Sequence, residues 1–204
     1  MTHTIRYRSD DAVSRALALA DPALGAAIDR VGSFQFGPFG EPFEVLAHSI
    51  VSQQLATAAA ARIWGRFRDQ IGVTPVDVQA ASEEQLRGVG LSGRKAQYVQ
   101  GLAMAALRRD PDLDTLAALP DDEVITRLTQ LRGVGPWTVH MFLMFGLQRL
   151  DVLASGDYGV RMAVGRRLDL GGPASPAQVA ETAERWRPYR SVALFYLWKA
   201  GDTT

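Results

Sequence analysis

Leu131-Arg132-Gly133-Val134-Gly135-Pro136-Trp137-Thr138 is the stretch on which the reading of this chain turns. Upstream of it, Val124, Ile125, Leu128 and Leu131 form an apolar stripe at helical spacing. Asp121, Asp122 and Glu123 occupy the first turn, where a helix dipole favours acids. Gly133 and Gly135 end that helix. Pro136 then stands where a new helix would begin, a position that suits its fixed φ and missing N–H. Residues 137–147 continue with apolar side chains almost all round. The segment 124–147 is therefore predicted to be two helices joined by a tight glycine hairpin.

Working outward, the periodicity stays helical and no long segment alternates as a strand does, which predicts an all-α protein of two helical lobes. Ser82 with Gln85 reads as a capping box, Ser92 precedes a helix over 94–107, and Ser175-Pro176 opens another over 177–186. Residues 32–42 read as a loop between an N-terminal helical pair and a long segment over 43–71. Pro188 breaks the chain before the apolar run 192–198. The pentapeptide Leu131 to Gly135 has an internal echo at Leu86-Arg87-Gly88-Val89-Gly90, where a plain helix stop is the simpler reading.

At 204 residues and 47% hydrophobic content the chain can bury a core as a single domain of two lobes, without cross-links. It has no cysteine, which excludes disulfides, thiolate zinc and iron–sulfur clusters. Neither a signal-peptide pattern nor a membrane-length apolar run is present, so a cytoplasmic, nucleoid-associated or nuclear location is expected rather than secretion. The 22 basic and 22 acidic residues cancel, yet they are unevenly spread. Residues 86–109 carry five bases and no acid, 110–123 carry six acids and no base, and 125–167 carry six arginines against Asp151 and Asp157. Such runs are read either as opposite faces of the molecule or as ordinary solvated surface.

Two glycines at the start of a helix permit unusual backbone angles and present N–H groups towards an anion. A DNA phosphate fits there, and holding phosphate grips the backbone without reading sequence. An ordinary helical hairpin is the alternative on this motif alone. Asp157, just ahead of a helix over 158–168, is in the same way most simply an N-cap. His140, amid Val139, Met141 and Phe142, reads as a structural histidine.

The hairpin octapeptide is followed, after an apolar helix, by Ser155-Gly156-Asp157-Tyr158-Gly159-Val160-Arg161. Together they resemble the helix-hairpin-helix DNA glycosylases, specifically the 3-methyladenine DNA glycosylase II group. Segments 50–56 (Ile50 to Ala56), 90–96 (Gly90 to Ala96) and the C-terminal Arg190, Ser191, Ala193, Tyr196 and Trp198 are similar to that group too, so the resemblance covers roughly 40–200. It implies an interlobe active-site cleft, no separate N-terminal sheet domain, and a monomer acting on double-stranded DNA that contains alkylated bases. It makes Asp157 the catalytic carboxylate and Trp137 a wall of the base pocket, with Tyr158, Trp198 and Met141 as further pocket candidates. Gly133, Gly135 and Thr138 match the phosphate-holding hairpin, and Arg94, Lys95 and Arg161 are candidate DNA contacts. Gln53 and Gln54 match the region that supplies a wedge into the duplex. A structural sodium or potassium ion on the carbonyls of Thr129, Leu131 and Val134 is implied as well, with no other cofactor required.

The chain departs from the pattern at Gly156 and Met141, where some relatives carry an acid and an aromatic, and both bear on pocket shape. Strand-nicking relatives place a lysine where this chain has Trp137, so the resemblance implies hydrolysis without lyase activity. A glycosylase for uracil or oxidised bases, and a non-catalytic DNA-binding protein built on the same hairpin, are the alternatives.

Overall fold

A computed structural model describes residues 5–37 and 39–202. The chain forms two compact units, one from residues 5–37 with 148–202 and the other from residues 39–147.

The first unit opens with strand β1 (Ile5–Arg8), helices α1 (Ala12–Ala20) and α2 (Pro22–Val31), and strand β2 (Ser33–Phe36). The strands pair antiparallel with Tyr7 opposite Phe34. The fold is otherwise the helical one expected; this two-stranded ribbon is added to it and lies partly in the segment read as a loop. With four residues per strand the alternation is too brief to show against a helical background, though it is there. Phe34 and Phe36 turn inward while Ser33 and Gln35 face solvent. The two strands also lie far enough apart in the chain that no hairpin turn betrays them. Phe34 stacks on Phe195 with ring centroids 4.3 Å apart and meets Tyr196 edge-on.

The rest of this unit is α10 (Tyr158–Arg167), α11 (Pro176–Ala183) and α12 (Arg190–Asp202), once the middle of the chain has been passed. α12 packs against α2 and α10. Asp21 ties three elements together. It caps α2 through Leu24 N–H, accepts the indole N–H of Trp186 at 2.8 Å, and pairs with Arg167. Only 2% exposed, Asp21 keeps its carboxyl below the usual range: burial works against the charge, but the Trp186, Leu24 and Arg167 hydrogen bonds outweigh it.

The middle unit holds α3 (Pro42–Ser52), α4 (Thr57–Gln70), α5 (Pro75–Ala80), α6 (Glu83–Gly88), α7 (Gly93–Arg108), α8 (Asp121–Leu128) and α9 (Pro136–Phe145). The segment read as one stretch over 43–71 is two helices, α3 and α4, broken at Gln53 and Gln54. α3 is its central element, with Phe43, Val45, Leu46, Ala47, Ile50 and Val51 all buried, and it packs on α4, α7 and α9. The expected capping boxes at Ser82 and Ser175 are both formed. Among the described residues no helix is long and apolar enough to cross a membrane.

The two copies of the pentapeptide do not share a conformation. In the first, Gly88 ends α6 and Gly90 takes φ +108°, with Leu91 N–H returning to the Leu86 carbonyl in the manner of a helix C-cap. In the second, Gly133 takes the positive φ (+88°) and Gly135 is extended, at φ −97° and ψ 175°.

Candidate functional site

The hairpin runs from the end of α8 at Leu128 to Gly135, which is the N-cap of α9 and offers no side chain to that end. Gly133 cannot be replaced without strain. A Cβ there would lie 2.2 Å from Cγ of Tyr98, on top of the positive φ. Gly135 differs, because its angles suit any residue and a Cβ would meet open space. Only one of the two glycines thus serves the backbone angle. The other leaves the approach to α9 clear. The first ladder bond of α9 runs from Val139 N–H to the Gly135 carbonyl, so the N–H groups of Gly135 and Thr138 lie ahead of the ladder.

Beside the hairpin is an open groove of about 810 Å³, lined by residues 129–135 on one side and by Gln53, Gln54, Ser92, Arg94, Lys95 and Tyr98 on the other. Arg94 and Arg132 are exposed, and the Arg132 guanidinium lies over the Tyr98 ring. Tyr98, Ser92 and Arg132 are not among the DNA contacts that the sequence nominates. Tyr98 sits mid-helix in α7 with nothing in its surroundings to mark it, and the clash it imposes at Gly133 is visible only in three dimensions.

Several expected DNA contacts are turned inward. The Lys95 ammonium donates to the carbonyls of Val51 at 2.6 Å and Gln53 at 2.7 Å, and burial holds it below the ordinary lysine range. Gln53 donates through Nε2 to the Gly133 carbonyl and to the Thr138 hydroxyl, both at 2.9 Å. Thr138 is 1% exposed, so it is a buried acceptor for Gln53 and not an open DNA contact. In the other unit, Arg161 donates through Nε to the Ala174 carbonyl at 2.7 Å, tying α10 to the loop before α11. Arg94 and Gln54 are the two that stay exposed.

Asp157 caps α10, accepting Val160 N–H at 2.8 Å on Oδ1. The same oxygen accepts the indole N–H of Trp198 at 2.8 Å. Trp198, expected as a pocket aromatic, is therefore in direct contact with the carboxylate and fixes its orientation from α12. Gly159 makes that contact feasible, since a Cβ there would stand 3.2 Å from both Asp157 Oδ1 and Trp198 Cδ1. This role of Gly159 was not foreseen, although a glycine two residues after a capping aspartate is a legible signal for close approach.

Among the remaining pocket candidates, Tyr158 is 66% exposed, Trp137 is half-buried on α9, and Met141 is buried in the interior face of the same helix. Gly156 is exposed with open space around it. His140 is half-buried, and burial pushes its pKa below the ordinary histidine range, with the Asp121 charge acting the other way.

In one unit, a polar groove beside an uncapped helix start can hold an anion; in the other, a carboxylate held by an indole and a backbone N–H can stabilise a cation. Residues 47–188 match the family described as HhH-GPD superfamily base excision DNA repair proteins. The DNA-3-methyladenine glycosylase 1 of Schizosaccharomyces pombe is 34% identical over 164 residues, covering 78% of this chain and 72% of its own. Among solved structures, that of S. pombe 3-methyladenine DNA glycosylase in complex with abasic DNA has a TM-score of 0.86 at 30% identity, covering 93% of this chain and 96% of that one. A DNA-3-methyladenine glycosidase from Bacillus halodurans gives 0.77 at 33% identity, covering 98% and 93%.

Proposed function

The chain belongs to the HhH-GPD superfamily of base excision DNA repair proteins, and from that premise we propose that it is a monofunctional DNA glycosylase releasing alkylated bases of the 3-methyladenine type. The observation that carries this reading is the Asp157 carboxylate, anchored on Oδ1 by Val160 N–H and by the Trp198 indole, in a chain that also carries the phosphate-holding type of hairpin.

The target base is stacked inside the duplex, so the nucleotide has to be extruded before it is cut. The N–H groups at the start of α9, with that of Gly135 at the groove, suit a phosphate, and Arg94 and Arg132 add positive charge beside them. Alkylation at N3 makes adenine cationic, so the base departs with the electrons of the C1′–N bond as a neutral leaving group and needs no strong acid. Positive charge builds on the sugar, and the Asp157 carboxylate stabilises it. Water adds its oxygen to C1′ and gives up a proton to Asp157, leaving free base and an abasic strand. Trp137, half-buried on α9, offers an electron-rich face to a cationic ring.

The neutral carbonyls of Thr129, Leu131 and Val134 border the groove and suit a monovalent ion, which would brace the hairpin. Leu131 O already accepts Val134 N–H at 3.0 Å and keeps a second lone pair for such an ion. Among the described residues no group of three His, Cys, Asp or Glu side chains gathers as a transition-metal site would require. The protein is proposed to act as a monomer on double-stranded DNA. A panel of duplexes bearing 3-methyladenine, 7-methylguanine, uracil or 8-oxoguanine, scored for free base in the presence of EDTA, tests the reading. Release of the methylated purines is expected to survive chelation. Preferential release of uracil or 8-oxoguanine, or no release at all, would overturn the assignment.

Strand cleavage is a separate expectation. A lyase needs an amine within bonding reach of the sugar carbon to form an imine. The chain has two lysines. Lys95 is engaged by two carbonyls and Lys199 lies over the Phe195 ring. Borohydride added during turnover is expected to trap no covalent protein–DNA adduct. An adduct formed in good yield, and lost on changing one lysine, would show that the chemistry runs through an imine.

A further inference from the structure

The two adjacent glutamines of the α3–α4 connection do opposite things. Gln53 turns inward to the hairpin through Gly133 O and Thr138 Oγ1, whereas Gln54 is exposed in the left-handed region at φ +58°. Gln53 has φ −50° and ψ 131°, and Leu55 N–H returns to Ser52 O at 3.2 Å. Residues 52–55 thus form a type II turn with a glutamine where glycine is the usual occupant. A non-glycine residue holds that conformation when its surroundings over-determine it.

Here the surroundings are one charged side chain. Lys95, at the start of α7, reaches the carbonyls of Val51 and Gln53 at the C-terminal end of α3, where carbonyls lack ladder partners and a cation is favoured. Two of the three N–H donors of the Lys95 ammonium are thus spent on short charge-assisted bonds inside the fold. The links run unbroken from Lys95 to the Gln53 backbone, and from the Gln53 side chain to Gly133 and Thr138.

We propose that Lys95 and Gln53 are positioning residues that fasten the 52–55 turn to the glycine hairpin, so that both loops meet the duplex as one rigid platform with Gln54 as its outward side chain. This rests on the DNA-gripping part of the reading above and is independent of which base is released. Burial of the Lys95 ammonium agrees with an internal role.

The test is the salt dependence of binding to a plain, undamaged duplex by the whole protein. Each phosphate contact contributes about 0.9 to the slope of log K against log salt. Lys95→Met is expected to weaken binding roughly ten- to a hundredfold through misplacement of the platform, with the wild-type slope retained. Gln53→Ala leaves the carbonyls that Lys95 holds and guards against misfolding in the lysine variant. It is expected to give the same pattern with a cooperative melt. The double variant should lose no more than the worse single one, because both substitutions cut one link.

A shallower slope for Lys95→Met would show a direct phosphate contact and overturn the proposal. Wild-type affinity in both single variants, or additive losses in the double one, would do the same. Failure of the wild-type protein to bind any duplex would instead remove the DNA-gripping reading, and the platform with it. Absence of base release from methylated DNA leaves this experiment standing.

Discussion

Asp157→Asn is expected to reduce the single-turnover rate of base release by on the order of 10³-fold or more, equivalent to about 4 kcal/mol of lost transition-state stabilisation. The expectation is sharp because the proposed function gives Asp157 a second job beside its helix cap, and the substitution removes only that one. As the N-cap of α10 it accepts Val160 N–H on Oδ1, and the same oxygen takes the Trp198 indole N–H. Asparagine caps helices about as well as aspartate, and its amide oxygen can keep both bonds, so the stability cost should stay within about 1 kcal/mol. What disappears is the negative charge opposite a positive sugar. Thermal melting and release of 3-methyladenine, measured on the same preparation, separate the two jobs. A variant that melts like wild type and turns over like wild type would show that Asp157 is a cap alone. A variant that loses several kcal/mol would show that the carboxylate charge is part of the fold.

Gly133→Ala is the second large effect, and its neighbour supplies the control. The positive φ of Gly133 costs an alanine roughly 1–2 kcal/mol. The overlap of its Cβ with the Tyr98 ring adds roughly 1–3 kcal/mol more unless α7 gives way. Melting should therefore fall markedly and duplex binding with it, since the hairpin cannot keep its shape. Gly135→Ala should behave in the opposite way. Its angles suit alanine and its Cβ meets no atom, so the stiffer unfolded chain offsets the poorer N-cap and stability should roughly hold. The added methyl would nevertheless stand beside the N–H groups proposed to meet phosphate, and binding should drop by roughly tenfold or more through lost close approach. Equal loss of stability in the two variants would contradict this division of labour. Unchanged binding in Gly135→Ala would place the phosphate elsewhere.

The helices and their caps were legible because they rest on local rules: Ser82 with Gln85, Ser175 with Gln178, Pro136 at a helix start, and acids in the first turn of α8. The ribbon of β1 and β2 was not, since Tyr7 and Phe34 meet only after two intervening helices have folded back. At the site, sequence could nominate Asp157, Trp198, Gln53 and Lys95 by type and position, but not their direction. Whether a lysine reaches solvent or two carbonyls depends on where α3 ends relative to α7, and that is set by packing, not by neighbours in sequence. The echo at Leu86 to Gly90 carries the same lesson. One pentapeptide places its positive φ on the second glycine in one context and on the first in the other, and each time it is the glycine crowded by another element, Gly90 by Arg66 and Ile63 and Gly133 by Tyr98, while Gly88 and Gly135 have open space around them.

The unit bearing Asp157 is discontinuous in the chain, drawn from 5–37 and 148–202, while the hairpin unit is one unbroken run over 39–147. A ribosome makes these parts in a fixed order. The run 39–147 has every one of its own packing partners once residue 147 has emerged, whereas α2 must wait for α12. Trp198, whose indole holds the carboxylate, lies in that last helix and is translated later still than Asp157 itself. The nascent chain thus completes the unit that carries the glycine hairpin before the unit that carries Asp157, and the carboxylate gains its orienting partner only once α12 has emerged.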